Sequence, residues 1–246
     1  MLDKEELERY SRQIMLFGED GQERLKDARV FIAGAGGLGC PIALYLAVAG
    51  VGRLRIADRD SVELSNLNRQ VLHWESDIGR EKVLSAGDKL QAANPHISVE
   101  TFHLTIDESN IRELIGDADI IVDAMDNYPV RYLLNKVAHE KGIPLIHGAI
   151  RGFDGQAMTI IPGESACFNC VFPSPPPTEV FPVVGVTPGI IAMIQANEVI
   201  KYLVDAGELL TNRLLIWNGL YSEMETLKVS RRDDCKVCCN IGKLQG

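Results

Sequence analysis

Residues Arg29-Val-Phe-Ile-Ala-Gly-Ala-Gly-Gly-Leu-Gly39 constrain this chain more than any other stretch. A run of β-branched and aromatic residues breaks into glycines and continues as an apolar helical pattern, which reads as strand, phosphate loop and helix. Gly34, Gly36 and Gly39 fall at G-x-G-x-x-G spacing. The first glycine allows a tight turn, the second lets backbone approach a phosphate, and the third lets the helix pack on the sheet. The helix amino end then offers free N–H groups and a positive partial charge to an anion. Such a loop points to a nucleotide and leaves the chemistry open.

The sequence can bury a large core: it has 246 residues, 46% of them apolar. Its 25 basic against 34 acidic residues, net −9, argue against nucleic-acid or anionic-membrane binding, which needs a basic field. An anion site must therefore be local. The amino end, Met-Leu-Asp-Lys-Glu-Glu-Leu-Glu, lacks the apolar segment of a signal peptide. The longest apolar windows, Pro41 to Val51 and Gly185 to Ala196, are too short for a bilayer. The expectation is a cytoplasmic protein. In a reducing compartment its six cysteines are metal ligands, catalytic thiols or small buried residues rather than disulfides.

Along the chain, residues 3–16 and 19–27 read as helices of an amino-terminal arm (1–27). A nucleotide-binding core (28–150) follows. It alternates strands Arg29–Ala33, Arg53–Ala57, Ser98–Leu104, Asp119–Asp123 and Pro144–Ala149 with helices Leu38–Ala49, Ser76–Ala93, Glu108–Ile115 and Pro129–Lys141. That alternation predicts an α/β fold, a Rossmann-like, mainly parallel twisted sheet with right-handed crossovers. From Gly152 the pattern changes. Phe153–Ile161, Leu214–Trp217 and Glu223–Val229 read as antiparallel strands added at one sheet edge. This third segment (151–246) also holds a crossover loop, Pro173 to Pro182, with five prolines that exclude a helix or a central strand. Thr187 is the expected cap, and Pro188 the first residue, of an apolar helix running to about Val204. The three segments form a single domain on this reading.

Asp58 ends the second strand, 19 residues past Gly39, where a Rossmann-type fold places an acid on the ribose hydroxyls. The next stretch, Asp60-Ser-Val-Glu-Leu-Ser-Asn-Leu-Asn-Arg-Gln70, holds Arg69, and Lys82 follows near a helix start. Hydride transfer needs no cations beside the phosphates, whereas displacement of pyrophosphate needs them where charge builds up on the leaving group. Ile120-Ile-Val-Asp-Ala-Met-Asp-Asn127 runs a buried strand into two acids at its carboxyl end, where ligands of open α/β sheets bind. A carboxylate there can hold Mg²⁺ on triphosphate oxygens. Asp126 is favoured for that role, with Asp123 structural and Asn127 also a helix cap.

Cys167-Phe-Asn-Cys170 and Cys235-Lys-Val-Cys238, 64 residues apart, supply two C-x₂-C hooks. Together they predict a closed tetrahedral Cys₄ zinc site near the carboxyl terminus, structural because it has no open position. A redox C-x-x-C pair or an iron–sulfur cluster are the alternatives. Cys40 reads as a small buried residue behind the glycine loop, and Cys239 as a neighbour of a ligand. Histidines 73, 96, 103, 139 and 147 lack ligand spacing and are expected to be neutral and structural; His147 is the one placed to line a substrate channel.

Taken together, Arg9-Tyr-Ser-Arg-Gln13, Gly34-Ala-Gly-Gly-Leu-Gly39, Asp58-Arg-Asp60, Ser65-Asn-Leu-Asn-Arg-Gln70, Lys82 and Asp123-Ala-Met-Asp-Asn127 resemble the HesA/MoeB/ThiF family over almost the whole chain. These are ubiquitin-activating-type adenylyltransferases. The resemblance implies that Mg-ATP adenylates the carboxyl-terminal glycine of a small ubiquitin-like sulfur-carrier protein, releasing pyrophosphate. It implies Gly37 along the ATP, Asp58 at its ribose and Asn66, Arg69 and Lys82 on its phosphates, with Gly34, Gly36, Gly39, Asp60, Ser65 and Gln70 also cofactor-binding. It further implies Mg²⁺ at Asp126 beside Asn127, and Arg12 as an arginine finger reaching the other subunit of a homodimer. Members carry zinc at the cysteines matching Cys167, Cys170, Cys235 and Cys238.

One departure matters. Family members that transfer sulfur or acyl groups covalently carry a cysteine in the crossover loop, and Val171 to Thr187 has none. No rhodanese-like domain follows the cysteine tail, so adenylation alone is expected, with sulfur supplied by a separate sulfurtransferase. Competing readings are an NAD-dependent oxidoreductase, adenylation of another carboxylate or amide, and a non-catalytic scaffold. The carrier and its pathway, whether molybdopterin, thiamine, tungsten-cofactor, cysteine or tRNA thiolation, stay open.

Overall fold

A computed structural model describes residues 1–176 and 181–239. Eight strands form one sheet in the order β3-β2-β1-β4-β5-β6-β7-β8. The strands β1 (Arg29–Ala33), β2 (Arg53–Asp58), β3 (Ser98–His103), β4 (Ile120–Asp123) and β5 (Leu145–Arg151) run parallel. Three more, β6 (Asp154–Ile160), β7 (Arg213–Asn218) and β8 (Glu223–Lys228), extend it antiparallel. The sheet thus continues through the two segments that the sequence divides at Gly152. β1 and β4 are fully or almost fully buried Val/Ile/Phe runs, as a central parallel strand covered on both faces requires.

Helices α3 (Gly39–Ala49), α4 (Lys82–Ala93) and α8 (Val186–Val204) cover one face. On the other face α5 (Ile111–Ile115), α6 (Tyr128–Lys141), the one-turn α7 (Phe168–Val171) and the cysteine tail build a second core around Phe31, Ile121, Leu134 and Phe168. Helix α3 is apolar almost all round; α8 and α4 flank it, while Tyr45 and Val48 stay exposed. The arm consists of α1 (Lys4–Arg9), closed by an Asp3/Glu6 capping box, and α2 (Ser11–Asp27). Gly18, at φ 72°, breaks α2 where the sequence separates its two helices.

Three local expectations need correction. The helix expected from Ser76 begins at Lys82, after a 3₁₀ turn at Glu75–Asp77 and a turn at Gly79 whose φ of 85° no helix accepts. Thr187 is not a cap: α8 starts at Val186 with Gly185 before it, and Thr187 donates its hydroxyl to the Gly152 carbonyl at 3.0 Å. Pro188 is therefore the third helical residue. The Cys167–Cys170 hook contains the helix α7, too short for a periodic pattern to show. Of the proline loop, residues 177–180 lie outside the described residues, as do 240–246 of the tail.

Candidate nucleotide site and cysteine cluster

The sheet order reverses between β1 and β4, and a doubly wound sheet opens a crevice at the carboxyl ends of such strands. A cavity of about 670 Å³ lies there. Gly34, Gly36 and Gly37 line it. Gly34 sits at φ 105°, and a Cβ would fall 2.7 Å from the Ala124 carbonyl oxygen, so only glycine serves. A Cβ on Gly39 would lie 1.9 Å from the Gly34 carbonyl oxygen; Gly39 packs the loop on itself and does not line the cavity. Helix α3 starts without a side-chain cap, but the Cys40 N–H already donates to the Gly36 carbonyl at 2.9 Å and Pro41 has none, so few amino-terminal N–H groups are left for a ligand.

Asp58 lines the cavity at the end of β2 and accepts from the Ala35 N–H through Oδ2 at 2.8 Å and from the Asp60 N–H through Oδ1 at 2.8 Å. Its carboxylate is thereby fixed beside the glycine loop. Lys82 is 5% exposed and pairs with Asp60 Oδ2 at 2.9 Å, both at the cavity wall. Arg69 also lines the cavity, its guanidinium held by the Ser65 carbonyl and Asn68 Oδ1, each at 2.9 Å. Gln70 lines it too; its side chain is buried and Oε1 lacks a partner. At the end of β4, Asp126 is exposed to the cavity, and Asn127 caps α6 by accepting from the Val130 N–H at 3.1 Å.

The expected ligands Ser65 and Asn66 do not line the cavity. Asn66 is 7% exposed and spends its Oδ1 on the Glu63 N–H at 3.1 Å, shaping the turn that presents Arg69. Arg12 is exposed on α2, outside the cavity. Asp123 is buried: Oδ1 accepts from the Met125 N–H at 3.0 Å and Oδ2 from His147 Nδ1 at 2.7 Å. His147, 0% exposed, is wedged between Phe168 and Phe172 and is not among the residues lining the cavity. Burial holds its pKa below the ordinary histidine value, although Asp123 pulls the other way.

Residues that sequence reasoning missed are Leu104, Thr105 and Ile106 after β3, Met125, Val130 and Arg131 after β4, and Phe181, Val183 and Pro188 on the crossover. Thr105, Ile106 and Met125 carried one signal, their position just past strand carboxyl ends; the others carried none. Arg131 is buried and clamps the β4–α6 turn, donating to the Met125 carbonyl at 2.5 Å and pairing with Asp123 Oδ2 at 3.4 Å.

The four hook cysteines come together, their sulfurs all within 4.8 Å of one another. Cys167 lies 3.7 Å from Cys170 and 3.5 Å from Cys235, and Cys170 lies 3.4 Å from Cys238. A tetrahedron of thiolates at about 2.3 Å from one ion has an edge of about 3.8 Å, so the set fits a tetrahedral metal. Burial pushes the Cys167 thiol up to about 12. Burial also raises Cys235, but the Cys238 and Val237 amides and the neighbouring thiols outweigh it and bring that thiol to about 7. No other described group of three or more such ligands is gathered. Cys239 is exposed, with its thiol on the Arg232 carbonyl at 3.1 Å. Cys40, 1% exposed, is pushed up to about 12 by burial and is no nucleophile near neutral pH.

A doubly wound sheet with a glycine-floored crevice, a strand-end acid and two cations defines a nucleotide-binding protein. The ThiF family model matches residues 10–237, and the chain belongs to that family. It is 45% identical over 245 residues to the SAMP-activating enzyme E1 of Haloferax volcanii, covering 96% of this chain and 90% of that one. It is 43% identical over 248 residues to the sulfur carrier protein adenylyltransferase of Thermus thermophilus, covering 96% and 92%. The adenylyltransferase and sulfurtransferase MOCS3 of Culex quinquefasciatus is 43% identical over 246 residues, but this chain spans only 56% of it. Among solved structures, Escherichia coli MccB with ATP superposes at a TM-score of 0.86 with 26% identity, over 94% of this chain and 74% of that one. Among the described residues no helix is long and apolar enough to cross a membrane.

Proposed function

We propose that this chain adenylylates the carboxyl-terminal glycine carboxylate of a small ubiquitin-like sulfur-carrier protein with ATP, releasing pyrophosphate. The observation that carries the reading is the convergence of Asp58, Arg69, Lys82 and Asp126 on one crevice over the glycine loop, whose two cations hydride transfer does not use. The names of the two relatives with near-complete mutual coverage support the same chemistry. The adenine base suits the slot of Leu104, Ile106, Met125 and Val130, and Asp58 receives the ribose.

The carrier carboxylate attacks the α-phosphorus; an oxygen–phosphorus bond forms and the bond to the β-phosphate oxygen breaks. No side-chain nucleophile is needed. The chain's part is to align the reactants and to neutralise the leaving pyrophosphate with Arg69 and Lys82. Asp126 is the residue that would hold Mg²⁺; one carboxylate suffices because that ion keeps waters and takes substrate phosphates. Mg²⁺ held there would supply positive charge that offsets the charge of the phosphates. The cysteine set would hold zinc as a structural ion that ties the tail to α6 and α7.

A homodimer belongs to the same reading. Arg12, Met15 and Leu16 share one exposed side of α2 at i, i+3 and i+4, with Met15 77% and Leu16 85% exposed. A second copy covering that face would bring Arg12 to the partner's crevice. Sulfur reaches the adenylate from a separate sulfurtransferase, since Val171 to Thr187 offers no thiol. Radioactive pyrophosphate exchange into ATP tests the proposal: exchange should require a carrier ending in glycine and vanish with a carrier lacking that residue. Exchange driven by small carboxylates alone, or NAD turnover, would refute it.

A further inference from the structure

Three pieces of chain carry phosphate-directed groups: the glycine loop, the turn with Arg69 and Gln70, and α4 with Lys82. All three meet at one residue that lies outside the cavity, two of them at its side chain and the turn at its backbone. His73 is 3% exposed. Its Nε2 is 2.9 Å from the Ala35 carbonyl of the glycine loop, and its Nδ1 is 2.9 Å from the Ser85 hydroxyl on α4. Its backbone N–H donates to the Gln70 carbonyl at 2.9 Å.

These partners dictate the protonation pattern. A carbonyl only accepts, so Nε2 carries the proton, and in a neutral imidazole Nδ1 then accepts the Ser85 O–H. Lys89, a donor only, takes the Ser85 oxygen at 2.8 Å and pairs with Asp77. Burial lowers the His73 pKa against the pull of the Ala35 carbonyl, and Lys89 and Lys82 lower it further, which keeps the ring neutral. On its other side the Ala35 peptide donates its N–H to Asp58. A hydrogen-bonded chain therefore runs from α4 through His73 and Ala35 to the acid directed at the ribose.

We infer that His73 is a positioning residue for the nucleotide, holding the glycine loop, the Arg69 turn and α4 at fixed separations before ATP arrives. This rests on the ATP reading of the cavity. Donors held in place beforehand contribute more than donors gathered on binding. A histidine that merely filled space would tolerate an apolar residue of similar volume.

The test compares His73→Leu, His73→Gln and Ser85→Ala with the unaltered chain in carrier-dependent pyrophosphate exchange, varying ATP and carrier separately, alongside thermal unfolding. His73→Leu should raise KM for ATP roughly tenfold while KM for the carrier stays within about twofold. His73→Gln, whose amide N–H can reach the Ala35 carbonyl, should recover to within about threefold, and Ser85→Ala should cost about threefold. The inference is overturned if His73→Leu folds and keeps KM for ATP within twofold, or raises both KM values alike. If His73→Leu does not fold, the other two variants decide, and an unchanged KM for ATP in both overturns it. An unaltered chain without exchange would instead sink the adenylylation reading, and calorimetric ATP binding by the same variants would still test His73.

Discussion

Lys82 is a charge placed where the fold does not want it. It is the first residue of α4, a helix whose first turn contains no acid, so its ammonium faces the positive end of the helix dipole. Replacing it by methionine keeps the buried stem and removes the charge. The pair with Asp60 at 2.9 Å is lost, but the Asp60 side chain is 53% exposed, and such a pair is worth about 0–1 kcal/mol. Relief at the helix end returns about 0.3–1 kcal/mol. The two nearly cancel, so the Tm of Lys82→Met should stay within roughly 2–4 °C of the parent. Transition-state charge has no such compensation: removing one preorganised donor from a closed site costs about 10²–10³ in rate. The expected result in pyrophosphate exchange is a fall of that size in kcat/KM with stability intact. Less than a tenfold fall, or a fall matched by a Tm loss of 10 °C or more, would refute a transition-state role for Lys82.

The cysteine set and the buried histidines lead to further expectations. Cys235→Ser with Cys238→Ser, or exhaustive chelation, should release one equivalent of zinc and lower Tm by roughly 10 °C or more, since ion binding is part of folding free energy here; a chain purified without zinc that melts at the parent temperature would contradict this. His147 has its folded pKa below 6.5, the ordinary value it regains on unfolding. Below that pH the unfolded chain takes up the proton and the folded one resists. Its contribution is thus full above pH 6.5 and declines as pH falls toward the folded pKa, by up to about 1.4 kcal/mol per pH unit. His73 and His139 are shifted the same way. Urea titrations at pH 7.5 and 5.5 should show the loss, and His147→Gln should reduce the difference.

The parallel sheet was legible where period and punctuation agree: β1 and β4 are short buried apolar runs, Gly50 closes α3, and Asn127 and Gly142 bound α6. The helix start at Ser76 was misplaced because the break before α4 lies in one glycine torsion at Gly79, which no residue pattern records. In the site, charged residues at strand ends could be read singly, since a doubly wound sheet gathers strand ends. The walls could not. Leu104, Val130 and Pro188 come from three elements whose meeting depends on how loops fold back, and no periodicity records that. Arg131 was hidden for another reason: i+4 from Asn127 it looks like an ordinary helical cation, and only the fold shows it turned inward under the Met125 carbonyl.

The two cysteine hooks also set a schedule. The sulfurs that meet belong to residues 68 positions apart, Cys167 with Cys235 and Cys170 with Cys238. At about 5–20 residues per second of synthesis, the first hook leaves the ribosome about 3–14 s before the second. Through that interval every strand of the crevice and helix α8 have emerged, while Cys167 and Cys170 wait as two neighbouring free thiols. A metal held there could lock the chain only last, so it would guard a finished sheet against unravelling from its carboxyl end and would take no part in assembling it. Zinc shortage during expression should accordingly yield a chain with a formed crevice and an oxidisable thiol pair, not an unfolded one.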